Sequence, residues 1–143
     1  MSRYLVVTHQ TALSSDLQRK VRTLVAEDPA AEFAVLVPEA PGPPVTWEGE
    51  TVDVAGQRAE AAKTLLEEAA RARVVRTAVG TTDPLQAIAD ELLAQPGYDA
   101  LVICTLPPGI SRWLKLDLVH RAERKFGLRV IHVVAEAHAP ARP

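Results

Sequence analysis

The sequence predicts an α/β fold, a doubly wound five-stranded parallel sheet with helices on both faces. Two observations lead there. Five apolar runs of strand length alternate with four amphipathic helical patterns, and each crossover helix must bury its own stripe against the sheet. The run Val79 to Pro84, VGTTDP, joins a β-type segment to a helix start through a Gly-containing turn. In it Asp83 is a good N-cap, Pro84 suits the first helical position, and Gln86 falls where a capping box wants an amide.

Tyr4 to Thr8 reads as a first buried strand, and Ser14 or Ser15 caps the helix after it. Leu17, Val21, Leu24 and Val25 make that helix's inner face, and Asp28-Pro29 ends it. Phe33 to Val37 is the second strand. Pro38 to Glu50, rich in Pro and Gly, is a long loop over the carboxyl edge of the sheet, with Trp47 as a lid or as packing. Ala55, Ala59, Ala62, Leu66 and Ala69 give an alanine-faced second helix, and Arg73 to Val79 the third strand. The third helix presents Leu85, Ile88, Ala89, Leu92 and Leu93 as its apolar face and stops at Gln95-Pro96-Gly97. Ala100 to Cys104 is the fourth strand. One last helix is expected from near Ser111 to Phe126, with Arg124 and Lys125 in its final turn and Gly127 in the C′ position. Leu128 to Val134 is the fifth strand, residues 1–135 form a single domain, and 136–143 form a tail.

The 143 residues, 48% of them hydrophobic, suffice for one core. A formal charge of −2 with no long single-sign run argues against nucleic acid as a partner. One cysteine excludes an internal disulfide framework, and no stretch is long and apolar enough for a membrane span. The start lacks the pattern of a secretory signal, so the expected location is the cytoplasm. No H-x-x-x-H or C-x-x-C spacing suggests a metal.

The order of elements, the VGTTDP junction, and a fourth strand followed by ISRWLKLDLVHRAER (Ile110 to Arg124) resemble the universal stress protein family, within the adenine nucleotide alpha hydrolase-like folds. The resemblance spans nearly the whole chain. It implies the strand order 3-2-1-4-5, a tendency to dimerise, and a family divided into nucleotide-binding and non-binding branches. ATP-binding members carry an acidic residue after the first strand, where this chain has Thr8 and His9. They also carry G-x-x-G followed nine residues later by G-S or G-T, which here aligns, with one residue of slack, with Cys104, Pro107 and Leu116-Asp117, leaving only Gly109 nearby. Pro107 and Pro108 have no N–H for a phosphate, and Asp117 places a carboxylate where one would lie. The resemblance therefore implies a non-enzymatic binding or regulatory module with a degenerate ATP site and no resident cofactor. The phospho-receiver fold is set aside, because it needs acids where this chain has Thr8-His9 and Ala78-Val79-Gly80.

With that strand order, the candidate ligand residues are Val7, Thr8, His9, Val37, Gly80, Thr105, Gly109 and Asp117, at the carboxyl ends of the strands or just beyond them. A nucleotide or smaller anion held there through Val7, Val37, Thr105 and Gly109 is the alternative reading. Arg112 and Lys115 are the cations nearest to such a ligand. Cys104 and His9 would then be a thiolate and its base in a third reading, or a buried hydrophobe and a polar strand end. Thr81, Thr82 and Asp83 either cap the third helix or also hold an anion. The fifth strand lies at an edge. Its Val130, Ile131, His132, Val133 and Val134 are the candidate homodimer interface.

Overall fold

The computed structural model describes residues 2–9, 14–39, 54–109 and 111–135. The element order is β1 (Arg3–Val7), α1 (Ser15–Glu27), β2 (Glu32–Pro38), α2 (Val54–Ala69), β3 (Arg73–Gly80), α3 (Pro84–Ala94), β4 (Ala100–Thr105), α4 (Arg112–Lys115), α5 (Leu118–Phe126) and β5 (Arg129–Val134). All four strand pairings are parallel, in the order β3-β2-β1-β4-β5. Most of the expected Pro38 to Glu50 loop, with Trp47, and the tail after Ala135 lie outside the described residues.

β1 and β4 are central and read as unbroken apolar runs because both their faces are covered. One face packs Val6, Val35, Val37, Val102 and Cys104 under Leu17, Val21 and Leu24 of α1 and the alanines of α2. The other packs Leu5, Val7, Leu36, Leu101 and Ile103 under Ala87 and Ile88 of α3 and Leu118 and Ala122 of α5. Each fully buried Leu, Ile, Val or Phe contributes about 1.5–3 kcal/mol.

The caps agree with the sequence. Ser14 Oγ accepts from the amides of Asp16 (3.0 Å) and Leu17 (3.2 Å). Asp83 Oδ1 accepts from Leu85 (3.0 Å) and more weakly from Gln86 (3.5 Å). The capping box is not formed in full, since the Gln86 side-chain amide donates forward to Asp90 Oδ1 at 2.8 Å. Gly127 ends α5 at φ 65°, the left-handed geometry glycine favours.

Two expectations need correction. The single last helix is broken: the amides of Leu116 and Asp117 fold back onto Trp113 and Leu114 carbonyls (3.2 and 3.0 Å), and Asp117 takes φ 57° before α5 begins. No Gly or Pro marks this break, and the apolar pattern runs straight through it. Aspartate tolerates left-handed geometry better than most residues.

The inner face of α3 is also rotated from the expected one. Ala87, Ile88 and Glu91 face the sheet, Leu85 and Leu92 flank them, and Leu93 is 83% exposed. A carboxylate occupies the inner position because it has partners: Arg76 Nε and Nη2 donate to Glu91 Oε2 (2.8 Å) and Oε1 (3.1 Å), and the Tyr98 hydroxyl donates to Oε2 (2.9 Å). Burial, then the Glu91 carboxylate, pushes the Tyr98 hydroxyl pKa up.

This arrangement sets two opposite expectations on one helix. Glu91→Ala should destabilise the fold by about 2–3 kcal/mol, since it strands the Tyr98 hydroxyl and frees a partly exposed Arg76. Leu93→Ala should stay within about 0.5 kcal/mol of the parent despite removing a leucine. Urea denaturation of both variants measures the contrast.

Candidate functional site

Parallel pairing aligns the strand ends, so the carboxyl edge gathers the residues that come directly after β1, β2 and β4. Val7 stands opposite Leu36 on one side and Ile103 on the other. Chain connections leave β1 and β4 in opposite directions across the sheet, which makes their junction the topological switch point.

Val7, Thr8 and Val37 are fully buried there and Thr105 is nearly so. The Thr8 amide donates to the Leu36 carbonyl at 3.1 Å, tying the end of β1 to β2. Thr105 Oγ1 lies 2.9 Å from His132 Nε2 of β5. Desolvation, and secondly the nearby His120 imidazole, hold His132 below the ordinary histidine pKa.

His9 stands at the mouth of the switch point, between the two helical layers. Arg58 Nη1 of α2 lies 3.1 Å from its Nε2, and its ring centre is 6.2 Å from that of Trp113 on α4, with the planes tilted by 37°. Because a guanidinium only donates, His9 Nε2 accepts, which makes this imidazole neutral at Nε2. Arg58 sits in the second turn of α2. Helical side chains lean toward the N-terminus, and this lean brings it to the carboxyl edge. Arg58 is absent from the sequence-predicted set, since in the sequence it is one of several polar residues between the alanines of this helix.

The segment after β4 turns back early. The Ser111 amide donates to the Pro107 carbonyl at 3.0 Å, and Ser111 Oγ caps α4 through the Leu114 amide at 3.1 Å. Gly109 has φ 91° and is exposed, with open space where a Cβ would stand. The Asp117 carboxylate receives His120 Nδ1 at 2.9 Å. The side chains of Arg112 and Lys115 lie outside what the structure describes.

Gly80 is not brought to the switch point. It lies on the outer strand β3, where a Cβ would come within 2.4 Å of Ala87 Cβ, so close approach of α3 to the strand accounts for it. It lines a separate open groove of about 410 Å³ with Leu36, Arg76, Thr81, Asp90 and Glu91. Cys104 packs in the apolar layer beneath α1 and α2 and is 1% exposed. Asp83 is engaged as a helix cap. On β5, Ile131 and Val133 are buried beneath α1, whereas Val130 and Val134 are half-buried and His132 is exposed. Among the described residues no group of three or more His, Cys, Asp or Glu is placed to hold a metal ion.

No protein-family model matches the sequence. No curated protein matches it either. Among solved structures, a universal stress protein from Archaeoglobus fulgidus superposes with a TM-score of 0.62 over 93% of each chain, at 17% sequence identity. The chain has the universal stress protein fold. At that identity the likeness concerns the backbone, and the strand order implied by the sequence resemblance is the order observed. Among the described residues no helix of this universal stress protein-like fold is long and apolar enough to cross a membrane.

The His132 environment sets a pH dependence. Folding lowers the pKa of this imidazole from its ordinary 6.5, so as pH falls the unfolded chain takes up the proton first. Stability present above about pH 6.5 is therefore lost as pH drops toward the lowered folded value. Urea midpoints should fall between about pH 7.5 and 5.5, and His132→Asn should make that fall shallower.

Proposed function

We propose that this chain is a non-catalytic binding or regulatory module that does not take ATP in the manner of nucleotide-binding universal stress proteins. The observation that carries this reading is the segment from Thr105 to Asp117. A triphosphate cradle needs several amides turned inward, and here Pro107 and Pro108 offer none while the Ser111 amide is spent on the Pro107 carbonyl. Asp117, in left-handed geometry, adds a carboxylate held by His120. After β1, Thr8 and His9 stand where nucleotide-binding members have an acid. The residues present do not fit a bound ATP. Titration calorimetry with Mg-ATP should give a dissociation constant weaker than about 10 μM, roughly −7 kcal/mol, and tighter binding would overturn the reading.

A specific observation favours a second reading, in which the same edge holds a smaller anion or a nucleotide in another manner. Arg58 brings a positive charge to the switch point with no carboxylate beside it among the described residues. Enzymatic use of Cys104 finds less support, because its thiol is 1% exposed among apolar neighbours.

The module is also read as a homodimer through β5. The two sheet edges differ in how they discourage pairing. β3 has a register shift opposite Phe33 and Ala34, places Val75 in the irregularity, and flanks it with Arg73 and Arg76. β5 pairs without a break from Arg129 to Val134. The Ala135 amide donates inward to Thr105 at 2.8 Å, so by alternation the amides of Val130, His132 and Val134 point out of the sheet. A second copy running antiparallel would satisfy them.

Because Ile131 and Val133 belong to the core, the informative change is one of backbone. Val130→Pro removes an outward amide and leaves the β4 ladder intact. Sedimentation at micromolar concentration should show a dimer for the parent chain and a monomer with unchanged circular dichroism for the variant; a monomeric parent would sink this reading.

A further inference from the structure

Among the described side chains, the other half-buried arginines have carboxylate partners. Arg3 meets Glu32 at 3.2 Å, and Arg76 meets Glu91 at 2.8 Å. Arg58 is the exception among the described residues: its one hydrogen-bond partner is the neutral His9 Nε2, at 3.1 Å. A half-buried guanidinium is partly stripped of water, and a neutral imidazole compensates its charge poorly. The remaining N–H groups of the fork match the spacing of a carboxylate or phosphate.

Its surroundings narrow the class of anion. Its partner His9 directly follows the buried Thr8 at the end of β1, and the partly exposed Trp113 indole lies 6.2 Å from the His9 ring, tilted by 37° to it. Aromatic rings of this kind offer faces and edges to a flat apolar body. Among the described residues Arg58 is the cation at this edge, and one guanidinium fork suits one oxyanion group better than a polyphosphate chain.

We infer that Arg58 receives the oxyanion of a compact planar carboxylate, whose ring lies against Trp113 at the mouth of the β1/β4 switch point. The inference rests on the second reading above, that this edge takes an anion, and is independent of the β5 dimer.

Three probes test it on the full chain by titration calorimetry, with tryptophan fluorescence followed in parallel: benzoate, its neutral counterpart benzamide, and inorganic phosphate. Benzoate should bind saturably in the millimolar range or tighter, and benzamide about tenfold more weakly or worse. Arg58→Gln should weaken benzoate by about tenfold while leaving the thermal unfolding midpoint unchanged, and Arg58→Lys should recover part of the loss. In Trp113→Phe the fluorescence response to benzoate should disappear. Equal binding of benzoate and benzamide, or benzoate binding indifferent to Arg58→Gln, would overturn the inference. Arg58-dependent binding of phosphate without benzoate would also overturn it, while leaving the anion reading of the edge intact. Saturable binding of none of the probes would remove both.

Discussion

Burial of β1 and β4 on both faces is the constraint on which the rest of this structure depends. A central parallel strand with helices above and below has no polar position to spare, so Leu5 to Val7 and Leu101 to Cys104 are all apolar and all buried. Polar chemistry in the middle of the sheet can then appear only where a strand ends. At that point the backbone leaves the ladder and hydroxyls replace methyl groups: Thr8 after β1, Thr105 closing β4, Ser111 before α4. The position of the candidate site is thus a result of packing before it is a result of function.

The same constraint explains what could be read from sequence. Strands buried on both faces are unbroken apolar runs, and their helices carry one apolar stripe, so the alternation of the two patterns identified every strand to within a residue or two. Caps were legible because Ser14, Asp83 and Gly127 each act on amides or dihedrals close by in the chain. Strand order was not legible from periodicity, since any doubly wound sheet has the same alternation; it came through family resemblance. The failures share one cause, a partner distant in sequence. Glu91 was overlooked because its acceptability depends on Arg76 and Tyr98, and the flat apolar pattern around Leu92 and Leu93 suggested a different face. The break at Asp117 lay hidden for want of Gly or Pro. Arg58 looked like one more polar residue on a surface helix, and only the fold places it beside His9.

Fold and site also draw on different residues, which bears on how one can persist while the other changes. The two apolar layers contain no side chain from the segment Leu106 to Gly109, and Gly109 projects into open space. Prolines in that segment cost the sheet nothing, because its amides take no part in any strand ladder. Changes of residue type in this segment are therefore nearly neutral for stability, in contrast to Gly80, where even one methyl group would collide with α3.

On the reading proposed above, the carboxyl edge differs from a nucleotide site in sign as well as shape. An acid after β1 favours hydroxyl donors such as those of a sugar. His9 with Arg58 behind it is an acceptor coupled to a cation, which disfavours cationic donors and supports the proposed oxyanion ligand. Arg58, the cation there among the described residues, balances about one unit of negative charge in its partly buried setting. The Arg58 guanidinium, the prolines after β4 and the indole near His9 together support the proposed small flat anion, and the first two weigh against a triphosphate.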